Sequence, residues 1–118
     1  MKKIIFICTS NKDRSVALVE YFSERFPSHE YRSAGINKYF TTKKGTHYLT
    51  EDDIKWADKI IFAEQIHYDV FIRNFGWVSE GLGSRSFILN AGEYKQGCVG
   101  EDYLTKAEFA IKKWLPDL

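Results

Sequence analysis

Two apolar runs that nearly repeat each other, KIIFI at residues 3–7 and KIIFA at residues 59–63, constrain the fold of this chain more than any other feature. Neither alternates polar with apolar residues, so neither suits a sheet with one wet face. A continuous β-branched and aromatic run suits a strand covered on both sides. SFIL at residues 86–89 has the same character, and YRSAGI at 31–36 reads as a short strand ending at Gly35. Between these runs the period changes. Val16, Val19, Phe22 and Phe26 recur at three- and four-residue steps across Ser15 to Phe26, with Ser15 or Asp13 placed to cap the start. Thr50 followed by Glu51, Asp52 and Asp53 marks a helix start that runs to about Ala57, where Asp58 breaks it. Gln65 to Phe75 is helical in pattern and Tyr103 to Trp114 is amphipathic. Residues 37–48, rich in Lys, Thr and Gly, read as a loop, and residues 91–100 hold no obvious regular element. Strands alternating with helices predict an α/β parallel sheet covered on both faces and joined by right-handed crossovers.

The 118 residues fit a single domain, 1–118, and a chain of this size buries about 65% of its unfolded surface. The formal charge of +1 gives no global reason to expect a nucleic-acid or membrane-surface protein. MKKIIFIC begins like a signal peptide, but its apolar stretch stops too soon for an h-region, so the expected compartment is the cytoplasm. Two cysteines, Cys8 and Cys98, are too few for a disulfide scaffold, and the three histidines show no metal-ligand spacing beside them. Cysteine chemistry here is therefore catalytic or redox, and no metal or other cofactor is expected.

The decisive stretch is FICTSNKDRS, residues 6–15. It joins the first strand to the first helix, at the carboxyl edge of a parallel sheet where such folds bind ligands, with amides pointing from the positive end of the helix. That field, with a cation nearby, favours the thiolate of Cys8. The residues between Cys8 and Arg14 are enough for the backbone N–H groups of Thr9, Ser10, Asn11, Lys12 and Asp13 to close around a tetrahedral oxyanion. Arg14 can then donate a bidentate pair to two of its oxygens. Ser15 can donate to the sulfur, and Asn11 tolerates the left-handed backbone a tight loop requires. Lys12, at the loop tip, would favour acidic peptides if it faced the pocket. Asp13 is expected to turn outward or cap the helix, since an inward turn would weaken anion binding.

Cys8 to Ser15 resembles the C-x5-R-S phosphate loop of the low-molecular-weight protein tyrosine phosphatase family, with Asn11 three residues after the cysteine. Ser33-Ala34-Gly35 is similar to the family's S-A-G segment, and Leu49-Thr50-Glu51-Asp52 with Ala57-Asp58-Lys59-Ile60-Ile61 to its helix leading into strand three. The compactness resembles a shorter bacterial branch, in which Glu64 and His67 fit a segment after that strand. The resemblance implies a flavodoxin-like fold with a four-stranded parallel sheet, and hydrolysis of aryl phosphates through a cysteinyl-phosphate without metal. Two departures lie in the loop: Asp13 stands where many members carry a second cysteine, and Ser10 where glycine is common. A third lies in the late D-x-Y segment that supplies the family's general acid, which is Gly92-Glu93-Tyr94 here.

The resulting expectation is a cytoplasmic protein tyrosine phosphatase with Cys8 as nucleophile, Arg14 as oxyanion clamp and Glu93 as general acid, Glu101 or Asp102 in reserve. Its partner is a phosphotyrosine protein or small aryl phosphate, or another oxyanion in the loop. Tyr39, Phe40 and above all Tyr94 are candidate walls for the substrate ring. His29, His47 and His67 are expected at the surface. The alternatives are an arsenate reductase, which needs a thiol relay that only Cys98 could join, and a phosphotyrosine-binding module that lacks the acid.

Overall fold

The computed structural model describes residues 1–78, 81–91 and 99–118. Four strands, β1 (Lys3–Cys8), β2 (Glu30–Gly35), β3 (Lys59–Phe62) and β4 (Ser86–Ile88), form one sheet in the order β2-β1-β3-β4. Every pairing is parallel, with Phe6 between Ser33 on one side and Ile61 on the other.

The lack of alternation in KIIFI has a direct cause in the packing. Ile4 and Phe6 face one layer, with Leu18, Phe22, Ala107 and Ile111 of the helices α1 (Arg14–Arg25) and α6 (Glu101–Trp114). Ile5 and Ile7 face the other, with Ile54 of α3 (Glu51–Trp56) and Phe71 and Phe75 of α4 (Gln65–Phe75). Both faces are dry, so both strand parities are apolar. A Tyr21 hydroxyl and the Arg25 guanidinium both reach Glu108, tying α1 to α6.

Local signals set the remaining boundaries. Thr50 and Asp53 form a reciprocal capping box at the start of α3. Arg85, closing the short α5 (Leu82–Arg85), donates to the carbonyls of Ile54 and Ala57 at the far end of α3. The expected loop at 37–48 is corrected: Lys38–Lys44 is a helix, α2. Asn37 accepts the Phe40 amide at its start and Gly45, at φ 67°, ends it in the left-handed region. The threonines that lowered the helical signal are overridden by caps at both ends. Asp58, after α3, accepts the Lys3 amide at 2.9 Å. Among the described residues no helix is long and apolar enough to cross a membrane.

Candidate active site

Cys8 is the last residue of β1 and Arg14 the first of α1, so the five residues between them form the turn at the carboxyl edge of the sheet. The turn is held from beneath. Asn11 adopts φ 53°, which a short amide side chain tolerates, and its Oδ1 lies 2.8 Å from Ser15 Oγ. Ser15 Oγ is in turn 3.0 Å from Cys8 Sγ, and Ser15 is fully buried. From the side, the backbone continuing past β2 follows the loop: the amides of Ile36 and Asn37 donate to the carbonyls of Cys8 and Thr9. Gly35 is required here. A Cβ on it would stand 2.9 Å from both Asn11 N and Ser10 C, and 2.5 Å from the Thr41 methyl. The chain can pass this close only over glycine. Thr46 Oγ1 donates to the Ser10 carbonyl, fastening the end of α2 to the same loop.

Above the loop lies a cavity of about 270 Å³ lined by Cys8, Thr9, Ser10, Asp13, Arg14, Phe40 and Lys44. Arg14 is 7% exposed, and its Nη1 lies 2.5 Å from Glu64 Oε2, at the residue preceding α4. That ion pair holds the Glu64 carboxyl below the usual carboxylate range. One turn on, His67 is 1% exposed. Its Nδ1 accepts the Glu64 amide at 3.0 Å, so the ring proton sits on Nε2 and is donated to Thr9 Oγ1, 2.9 Å away. Burial first, and the Arg14 charge second, push His67 down to about 4, so the ring is neutral at neutral pH. Thr9 accepts from His67 and keeps its own proton for an acceptor on the cavity side. The start of α4 thus holds both ends of the loop.

A strand-end thiol and an arginine six residues on thus line one cavity, the arrangement the sequence led us to expect of a phosphate cradle. No family model matches the chain. Among curated proteins, the low-molecular-weight protein-tyrosine-phosphatase PtpB of Staphylococcus aureus is 28% identical, the match covering 77% of each chain. The low-molecular-weight protein tyrosine phosphatase of T. tengcongensis superposes with a TM-score of 0.71 at 20% identity, covering 100% of both chains. The chain is thus similar in sequence to a low-molecular-weight protein tyrosine phosphatase and shares the fold of these enzymes. The YwlE arginine phosphatase of Geobacillus stearothermophilus shares the fold, with a TM-score of 0.65 at 20% identity over 98% of this chain and 89% of that one.

Of the phosphatase-loop residues expected to meet, the structure brings together Cys8, Thr9, Ser10, Asp13 and Arg14 around the cavity, with Asn11 and Ser15 beneath. Lys12 is exposed and lines no part of it. The capping role expected of Asp13 is corrected. Its backbone, at φ −111° and ψ −76°, lies in the helical region rather than the extended one from which a side chain reaches back to the first amides. It makes no side-chain cap bond and stands on the cavity wall instead. The surface position expected of His67 is also corrected, because its ring is consumed by the Glu64 amide and Thr9. His47 remains half-exposed and pairs with Asp53, 2.7 Å away.

Glu93, Tyr94 and Cys98 lie outside the described residues. Glu101 and Asp102 are exposed in the first turn of α6, where their charge complements the helix dipole. Sequence reasoning missed the cavity role of Lys44 because α2 read as a loop. It also missed the clamp by Glu64 and His67, for which the Glu-x-x-His spacing at a helix start was the available signal.

Proposed function

We propose that this chain, as one 118-residue domain, is a cysteine-dependent phosphatase acting on phosphotyrosine proteins or small aryl phosphates in the cytoplasm. One observation carries the reading: the Cys8 sulfur and the Arg14 guanidinium open onto one cavity, with a hydroxyl 3.0 Å from the sulfur. The loop amides and Arg14 bind the phosphoryl oxygens, and the charge spreading over them in the transition state strengthens those contacts. Sulfur attacks phosphorus in line, the S–P bond forms, and the P–O bond to the phenol breaks. Glu93 supplies the proton to the leaving oxygen, then takes one from the water that hydrolyses the cysteinyl-phosphate. Ser15 has one hydroxyl proton, and half a turn of the Asn11 amide lets Nδ2 donate to Ser15 while that proton serves the sulfur. Phe40 on the cavity wall favours a flat leaving group.

Steady-state hydrolysis of para-nitrophenyl phosphate and a phosphotyrosine peptide tests the reading. Wild type turns over both, and Cys8→Ser neither. Binding without turnover in the wild type would make the chain a phosphotyrosine-binding module. Undiminished turnover by Cys8→Ser would remove the nucleophile.

A second reading rests on Asp13. A carboxylate on the cavity wall opposes a second anion but pairs with a cationic leaving group, such as the guanidinium of a phosphoarginine. The same protein assayed on phosphoarginine decides it: kcat/KM above that for phosphotyrosine, falling in Asp13→Asn, would reverse the assignment.

A further inference from the structure

Resting on the phosphotyrosine reading, a second feature of α2 points to the sequence around the phosphorylated residue. The helix carries two aromatic–lysine pairs at i, i+4 spacing: Lys44 Nζ lies 6.0 Å from the Phe40 ring centre, and Lys43 Nζ 5.9 Å from that of Tyr39. The first pair lines the cavity over Cys8. The second does not: with Lys38 and Thr42 it forms a separate hollow on the same helix. Tyr39 is 66% exposed, its ring set edge-on against Phe40 rather than into the core. Residues 37–48 hold Lys38, Lys43 and Lys44 and no carboxylate, in a chain whose total charge is only +1. Positive charge is therefore concentrated beside the mouth of the site, beyond what the phosphate itself occupies.

We propose that the Tyr39–Lys43 hollow, with Lys38, is a subsite for an acidic side chain of the substrate. The ring centres of Phe40 and Tyr39 are 5.3 Å apart, and an extended peptide advances about 3.3 Å per residue. A peptide whose phosphotyrosine ring lies against Phe40 therefore reaches the second hollow about one or two residues along. Tyr39 offers its ring face to the aliphatic stem and Lys38 and Lys43 their charges to the carboxylate. Exposed pairs of this kind are weak singly and screened by salt, so the selectivity is moderate and salt-sensitive.

The test compares two phosphotyrosine peptides that differ only by Glu against Gln at those flanking positions. The proteins are wild type and Lys38→Glu/Lys43→Glu, with para-nitrophenyl phosphate as the ester that has no flanking residue. Wild type should prefer the Glu peptide about fivefold in kcat/KM, through KM, with the preference fading at high salt. The double variant should lose or reverse it and keep its rate on para-nitrophenyl phosphate. Equal rates in the wild type, or a preference that survives charge reversal, overturn the subsite. So does binding to phosphatidylglycerol vesicles that the variant loses while the peptides are treated alike, which would make the patch a lipid contact. Calorimetric titration of the same peptides into Cys8→Ser separates this from the phosphatase reading. Tighter binding of the Glu peptide upholds the subsite even if turnover fails, and equal affinity overturns it even if turnover proceeds.

Discussion

The cradle and the rim of the cavity are built in opposite ways. In the cradle Asn11, Arg14 and Ser15 are 8%, 7% and 0% exposed, and each polar group is aimed by another. On the rim Phe40 is 40% exposed, and its neighbour Tyr39 66%. The difference separates two tasks. Stabilising a transition state demands groups fixed before the substrate arrives, while choosing among substrates needs surface that can be altered without disturbing them.

Substitutions in the cradle should therefore act on chemistry, and those on the rim on KM. The largest effect is expected for Arg14→Lys, where a planar fork becomes a point charge. kcat/KM should fall about 10²- to 10³-fold, and near wild-type kinetics would dissolve the contrast. Next is Glu93→Gln, which should slow phosphotyrosine hydrolysis about 10²-fold while sparing an activated dinitrophenyl ester, whose leaving group needs no proton. Equal loss on both esters would move the acid elsewhere, with Glu101 and Asp102 the next to be measured.

The clamp beneath the cradle should show itself as a pH dependence of stability. His67 titrates at about 4 when folded, below the ordinary 6.5, so between those values the unfolded chain holds more protons. Stability is then complete above about 6.5 and falls as pH drops toward 4, by an amount on the order of 3 kcal/mol if His67 acted alone. Glu64 continues the loss at lower pH, since its depressed carboxyl contributes above the ordinary carboxylate range and ceases to as it protonates. Denaturant melts across this range should lose the upper part of the slope in His67→Gln; an unchanged profile would deny the clamp its role. Gly35→Ala should cost about 1–3 kcal/mol by overpacking against the loop and lower activity beyond the unfolded fraction. The smallest effect belongs to the rim: Phe40→Ala should raise KM for a phosphotyrosine peptide severalfold, the loss of about 1 kcal/mol of ring contact, and leave the melting temperature near wild type.

What was legible in the sequence follows the same division. The cradle could be read because its chemistry is local: a strand end, a helix start and five residues of loop lie in one stretch of chain. The central strands β1 and β3 could be read because burial on both faces removes alternation. α2 could not, since Thr41 and Thr42 are poor helix formers and only the caps Asn37 and Gly45 announce it. Nor could the place of His67, 58 residues from the Thr9 it touches, because a pairing across the sheet leaves no spacing to count. Asp13 misled by its type: its side chain suits a cap, but the loop that delivers it sets a backbone from which no cap can be made.

The crossing over Gly35 also fixes when and how the site can come apart. The loop leans on the continuation of β2, and β2 is an outer strand of the sheet, paired along its length with β1 and on its other edge only through the bridge from Gly35 to Tyr48. Edge elements open with less free energy than whole molecules do. The amides of Ile36 and Asn37, bonded to the carbonyls of Cys8 and Thr9, thus report the assembly of the site rather than of the domain. Deuterium should enter them before it enters the amides of β1, and an oxyanion seated in the cradle should slow that entry, so that occupancy of the site is readable as a rate at two peptide groups behind it.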